Sequence, residues 1–367
     1  MTAKRSTFRP LWSLLFLIPG GLGVLLAELA VRVPPVDVPV LALFGMAYPL
    51  VSGALIIGVL GALWSNRWKA GLAGALLLAL SWPHASATWG SFGGLKDDEA
   101  QLLKVVTWNV RQFNRYAWIE QPGVRDSILS YLAAQEADVI CLQECFIEDQ
   151  SNPWMSANRI MKATGLAHWE EEFQLGRGQD KLFGLVVLSR YPMVAKSAIR
   201  FDNDKNNSGM YVDLLVGSDT VRVYNMHLSS VGFEKKDYED ASNVRDEAAR
   251  LRLFKRLTVA WQKRGSQAEQ IAESVALTQH PVIAVGDLND TPVSYTAHRF
   301  SSKLRDAYRS ANVFSRPLLG ATYVGDMPFL RIDQVWASPE LEVVDYQTGL
   351  VELSDHRPVQ VAFRWHE

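Results

Sequence analysis

Long unbroken apolar runs occupy the first quarter of the chain, and short ones alternate with polar turns through the rest. Residues 11–31 and 40–63 are each long enough, at about 20 residues, to cross a bilayer. Residues 70–89 form a third candidate, fully apolar only as far as Leu80 and followed by Pro83-His84. Beyond residue 101 the runs shrink to strand length. Strands are predicted at 102–110, 138–142, 182–188, 211–216 and 221–228, the last two joined by the turn Gly217-Ser218-Asp219. Further strands are predicted at 282–285, 331–337, 342–346 and 359–364. Helical spacing marks 124–135, 154–164, 294–301 and, at greatest length, 246–277, which should break or loosen near Gly265. Strands alternate partly with helices and partly with one another. The pattern predicts an α/β chain with two sheets and helices packed outside them.

Charge divides at the same place. Lys4, Arg5, Arg9, Arg32, Arg67 and Lys69 against Glu28 and Asp37 give the first 95 residues a net charge of +4; the whole chain is −2, leaving −6 for the remainder. That remainder lacks the overall basic bias of a dedicated nucleic-acid binder. Lys4, Arg5 and Arg9 precede the first apolar run, Arg67 and Lys69 follow the second, and the loop between carries only Arg32. The positive-inside rule therefore assigns the N-terminus and the Arg67 loop to the cytoplasm. Three spans would put the polar region outside the cytoplasm and two would keep it inside; three is the favoured reading. A secretory signal peptide is the competing explanation of the first run. The second run, and Arg32 and Pro34-Pro35 where cleavage would fall, argue against it. Glu28 reads as an interfacial residue. The expected layout is a membrane anchor over 1–95, a linker over 96–101 containing Asp97-Asp98-Glu99, and a catalytic region over 102–367. Cys141 and Cys145 flank Glu144 with no zinc or disulfide spacing, so packing is their expected role.

Four strings then carry chemistry: Thr107-Trp108-Asn109-Val110, Leu142-Gln143-Glu144, Gly286-Asp287-Leu288-Asn289 and Ser354-Asp355-His356. Each lies at the edge of an apolar, β-rich run, where sheet proteins gather their ligands. Glu144, just beyond a buried strand, is a hard oxygen ligand suited to magnesium or manganese, or else a solvated strand end. Asp287 and Asn289, two apart in an extended segment, point the same way and could orient a water and hold a phosphoryl oxygen. Turn chemistry is the plain alternative there, since Asp290-Thr291-Pro292 follows. Asp355 offers a metal ligand or orienting group beside His356, an acid–base group or phosphate donor. Asp333 could hold an imidazole in one orientation. His227 shares a strand face with Asn225 and could donate to phosphate or a leaving group, and Asn109 could hold a water or phosphate by its amide.

In this order the residues resemble the endonuclease/exonuclease/phosphatase superfamily, whose members include pancreatic deoxyribonuclease, apurinic endonucleases, neutral sphingomyelinases and inositol-polyphosphate phosphatases. The resemblance spans about residues 102–367 and implies a four-layer α/β/β/α sandwich, here preceded by transmembrane helices. By that resemblance Glu144, with Asn109 and Asp355, holds Mg2+ or Mn2+. Asp287 and Asn289 activate water and contact phosphate, His356 contacts phosphate, and Asp333 supports His356. His227 matches the Asn-X-His-Leu motif of the deoxyribonuclease, sphingomyelinase and phosphatase branches, from which apurinic endonucleases usually depart. Arg264-Gly-Ser-Gln-Ala-Glu, residues 286–295 and Ala321-Thr-Tyr-Val together are similar to a membrane-anchored bacterial subgroup. Arg111 departs from the acid that apurinic-type members often carry two residues after the asparagine; it reads as a surface charge or a phosphate contact. The implied function is metal-dependent hydrolysis of a phosphoester at a bacterial inner membrane, with the catalytic region outside the cytoplasm. A lipid head group, a phosphorylated small molecule and nucleic acid all remain open as substrates, as does an endonuclease specifically. A catalytically silent module tethered to the bilayer is the rival class. No protein partner is inferable.

Overall fold

The computed structural model describes residues 12–90, 102–148, 153–175, 181–232, 247–311, 320–325 and 327–365. Lys4, Arg5, Arg9 and the 96–101 linker therefore lie outside the described residues. Apolar helices come first: α1 (Trp12–Ala30), α2 (Ala42–Met46) with a short 3-10 turn before it, α3 (Tyr48–Trp64), α4 (Trp68–Leu80) and α5 (Trp82–Trp89). By length and composition α1 could cross a membrane, and there are up to three spans if each bent pair counts as one, with bends of 60° before α3 and 72° after α4. Their packing inverts that of a water-soluble core. Glycines face inward, where a Cβ on Gly20 or Gly58 would strike the backbone of a neighbouring helix, while Leu15, Leu50, Leu60 and Leu72 point outward, all more than 60 % exposed.

Among the described residues, twelve strands and the remaining helices follow. The first sheet has the order β11-β12-β1-β2-β4-β3, built from β1 (Leu102–Asn109), β2 (Val139–Glu148), β3 (His168–Leu175), β4 (Lys181–Ser189), β11 (Leu341–Thr348) and β12 (Val359–Trp365). The second has the order β5-β6-β7-β8-β10-β9, built from β5 (Met193–Phe201), β6 (Asp204–Val216), β7 (Asp219–His227), β8 (Val282–Asp287), β9 (Arg305–Asp306) and β10 (Asp333–Ala337). Val105, Val187, Val212, Val223, Val285 and Val361 belong to the core between the sheets. α6 (Val124–Ala134) and α7 (Ala157–Thr164) cover the outer face of the first sheet, and α8 (Glu247–Leu277) and α9 (Tyr295–Ser301) that of the second. This is the four-layer α/β/β/α sandwich. Both cysteines are buried and free, and burial pushes their thiols up, as packing residues require.

Three departures from the sequence pattern have physical causes. β3 and β5 were not expected, because each is an edge strand; β3 carries Glu170-Glu171-Glu172 and β5 is mostly exposed, so neither needs an apolar run. α8 runs through Gly265 unbroken. The glycine there serves contact, since a Cβ would sit 3.1 Å from Pro35 Cδ. β2 continues past Glu144, which sits inside the strand at an irregularity between Leu142 and Cys145.

The N-terminal helices pack directly on the sandwich. Gly45 meets Val293 so closely that a Cβ would lie 2.2 Å from its carbonyl oxygen. Arg331 Nη2 donates to Ala87 O at 3.0 Å while pairing with Asp306 Oδ2 at 2.7 Å, both side chains about 1 % exposed. Arg309 Nε donates to Ser86 Oγ at 2.9 Å. Glu28 pairs with Arg32 at 2.8 Å and lies 3.3 Å from His84 Nε2.

Candidate active site

Strand register assembles the site. β7 runs parallel to β8 with His227 opposite Asp287, and β10 runs antiparallel to β8 with Asp333 opposite the same Asp287. One rung of the second sheet thus carries three chemistry-bearing residues. Gly286 makes the rung possible: its φ is 141°, and a Cβ would lie 2.0 Å from Met226 O on the neighbouring strand. In the first sheet Asn109 stands opposite Gln143, one residue before Glu144. Asn109 Nδ2 reaches across to donate to Asp287 Oδ2 at 3.0 Å and to Glu144 Oε1 at 3.1 Å.

Asp287, 1 % exposed, is the buried centre. His227 Nε2 and His356 Nε2 each lie 3.6 Å from its Oδ2, and Asn289 N donates to its Oδ1 at 2.9 Å. His356 Nδ1 and Asp333 Oδ2 are 2.8 Å apart, and Trp108 Nε1 donates to His356 O at 2.8 Å. Burial opposes charge on the His356 ring. Asp333, with Asp287 behind it, outweighs that cost and holds the ring protonated well above the ordinary histidine range. Burial raises the Asp333 carboxyl; the His356 charge opposes the rise and Asp287 reinforces it. The pair is best treated as one hydrogen-bonded unit.

Asp287, Asp333 and His356 offer ligand atoms within 4.8 Å of one another. Of the His356 ring only Nε2 is open to a cation there, because Nδ1 is committed to Asp333. Better oxygens lie above. Glu144 and Asp355 have side chains 28 % and 25 % exposed and face a pocket of about 310 Å³. Two carboxylates open to water suit magnesium, which keeps several waters of its own. Asn109 turns its amide nitrogen towards Glu144, while its oxygen accepts from Arg111 N at 3.0 Å. Arg111, whose φ is 40°, is no loose surface charge: its Nε lies 3.2 Å from Asp355 Oδ2 and its guanidinium sits 4.6 Å over the Trp118 ring. Asn289, also at positive φ, is held by its Nδ2 on Leu228 O at 3.0 Å. All eight residues singled out from the sequence thus converge: Asn109, Glu144, His227, Asp287, Asp333 and His356 through contacts with one another, Asn289 through its backbone N on the Asp287 carboxylate, and Asp355 by lining the same pocket, held by Arg111.

Two features escaped the sequence pattern. Gln143 Nε2 donates to Asn225 Oδ1 at 2.6 Å and to Thr107 Oγ1 at 3.0 Å, and Asn225 Nδ2 donates to Leu142 O and Val186 O at 2.9 Å. This buried bridge between the sheets fixes the strand where Glu144 takes φ 49°. The shared face of Asn225 and His227 was the one visible hint. Arg264, 2 % exposed, enters the pocket from α8, donates to Ser229 O at 3.0 Å and lies 3.5 Å from Asp290 Oδ2. Burial lowers its pKa against the pull of Asp290 and Asp287. A lone arginine on a charged helix carries no sequence signal of burial.

The profile of the Endonuclease/Exonuclease/phosphatase family matches residues 106–356. Among solved structures, an endonuclease/exonuclease/phosphatase from Beutenbergia cavernae DSM 12333 is 22 % identical, with 72 % of each chain covered and a TM-score of 0.52. A family protein from Bacteroides thetaiotaomicron is 16 % identical over 74 % of this chain and 100 % of its own, with a TM-score of 0.53. The human Nocturnin catalytic domain with bound sulfate anion is 15 % identical over 72 % of this chain and 95 % of its own, with a TM-score of 0.52. At these identities the likeness is one of fold. No curated protein matches.

Proposed function

This chain belongs to the endonuclease/exonuclease/phosphatase family, and we propose that it is a membrane-anchored, divalent-metal-dependent hydrolase of phosphoesters. The observation that carries the reading is Asp287, buried at the base of a pocket within 3.6 Å of two imidazoles, beneath two partly exposed carboxylates. In the reaction this supports, a water oxygen bonds to phosphorus as the bond to the leaving oxygen breaks. The water's proton passes to Asp287, and Asn289 offers its amide oxygen to orient that water. His356, kept charged by Asp333, donates through Nε2 to a phosphoryl oxygen, and His227 supplies a proton to the leaving oxygen. Each such preorganised donor is worth on the order of 10²–10³ in rate. A divalent cation bound by Glu144 and Asp355 would neutralise charge on the phosphoryl oxygens.

The anchor rests on the N-terminal helices. Trp64 and Trp68 stand at one end and Trp82 and Trp89 at the other, as interfacial belts require, with large aliphatic side chains between them. Three passes would leave Arg67 and Lys69 at the end away from the sandwich, and the positive-inside rule then favours a sandwich outside the cytoplasm.

The test of the hydrolase is turnover of a soluble bis-aryl phosphodiester by the detergent-purified full chain. Activity should require magnesium or manganese, vanish with chelator, and fall about 10³-fold or more in Asp287→Ala, the cost of losing a general base. Near-normal turnover by a folded Asp287→Ala protein would remove Asp287 from the chemistry.

A further inference from the structure

The pocket above Asp287 is not walled by the sandwich alone. Met46, the last residue of α2 and two residues before the start of α3, lines it together with Leu257 and Trp261 of α8. Val231, Met327 and Leu330 extend the apolar side of the same wall. An apolar membrane-proximal segment thus contributes directly to the cavity in which the buried carboxylate and imidazoles stand. α8 continues this wall outward. Residues three and four apart share a helix face, so Phe254 and Leu251 prolong the line of Leu257 and Trp261 by one and two turns. Leu251 is 67 % exposed and Phe254 37 %, an apolar stripe open at the pocket's edge. Residues 247–257 also carry Arg250, Arg252, Lys255 and Arg256 against Glu247 alone. Exposed apolar side chains among clustered cations are the composition of a helix that rests in a lipid interface. α8 is held near the N-terminal helices where Gly265 meets Pro35, seven residues before the start of α2.

We propose, resting on the hydrolase reading above, that the substrate is a phosphoester carried on a membrane lipid. Its phosphorus reaches Asp287 and His356 while its hydrocarbon part lies along Met46, Leu257 and Trp261 and leaves towards the bilayer past Phe254 and Leu251. A polar head and an apolar body are both needed to fill a pocket whose floor and rim are charged and whose Met46–Leu257–Trp261 side is apolar. Hydrolysis adds water across one P–O bond, leaving one phosphate-bearing and one hydroxyl product.

The experiment uses the full chain in vesicles of phosphatidylglycerol and phosphatidylcholine, with magnesium, and follows phosphoester products. Its other arms are the matching deacylated head-group esters, plasmid DNA and the bis-aryl ester. The lipid should be cleaved with at least ten-fold higher kcat/KM than its deacylated counterpart. Met46→Gln and Leu257→Gln should each lower the ratio of lipid to bis-aryl turnover about ten-fold. Equal cleavage of lipid and deacylated ester, preference for plasmid DNA, or an unchanged ratio in both variants overturns the lipid substrate while leaving the hydrolase intact. No metal-dependent turnover of any arm overturns the hydrolase reading, and the lipid substrate with it.

Discussion

The floor of the pocket and its rim are built on opposite plans. Asp287, Asp333 and His356 are 5 % exposed or less and joined by short contacts, so each is held by its neighbours in one geometry. Glu144, Asp355 and Arg111 above them are a quarter to a third exposed and paired across 3.2 to 3.9 Å. Water screens a rim of this kind, and a charge there is worth little on its own; the same charge on the dry floor is worth much more and costs more to misplace. The difference teaches a division of labour: a floor that cannot rearrange suits proton handling, and a rim that can rearrange suits an exchangeable cation and the arrival of substrate.

Four substitutions probe this division, from the largest effect to the smallest. Asp287→Ala, on the floor, should cost about 10³-fold or more and should not be recovered by added metal. Glu144→Gln, on the rim, should cost about 10–100-fold in apparent metal affinity, so raising magnesium should restore most of the rate; a loss that is independent of magnesium would place Glu144 with the floor. Asp333→Asn tests the coupling on the floor through pH. Asp333 is what keeps His356 charged, and the proposed mechanism needs that charge, so rate should fall as pH rises through the raised His356 value. With a neutral amide in its place the ring titrates lower, and the alkaline limb of the kcat profile should move down by about one unit or more. An unshifted limb would detach His356 from the rate-limiting chemistry. Arg111→Ala should change kcat/KM by no more than about five-fold, the measure of a partly exposed ion pair of up to about 1 kcal/mol. A hundred-fold loss would make Arg111 a direct phosphate contact.

Much of this was legible in the chain, for identifiable reasons. Asp287 ends β8 and Asn289 follows it, Asp333 opens β10 and His356 stands three residues before β12, and a polar residue beside an apolar run is conspicuous at each. The first strand followed its apolar run, 102–110 against Leu102–Asn109, whereas β6 starts seven residues before the run at 211 and β2 continues beyond 142 to Glu148. Edge strands β3 and β5 were hidden because water, not a core, satisfies one side of them. The setting of Glu144 was hidden too, since a φ of 49° within a strand is imposed by the buried Gln143–Asn225 bridge from the other sheet. Arg264 and Met46 were invisible at the site because helical periodicity says which face is buried, never against what.

The seam between the N-terminal helices and the sandwich bears on how the protein can be handled. Trimming the chain at residue 101 is the obvious route to a soluble enzyme. It would uncover the Arg331–Asp306 pair, strip Arg309 of its Ser86 partner and leave Val293 without the glycine seated on its carbonyl. It would also delete Met46, so the shortened protein would present a pocket with one side missing. Substrate preferences measured on such a fragment would describe the fragment. Detergent or nanodisc preparation of the whole chain is the way to assay the pocket intact.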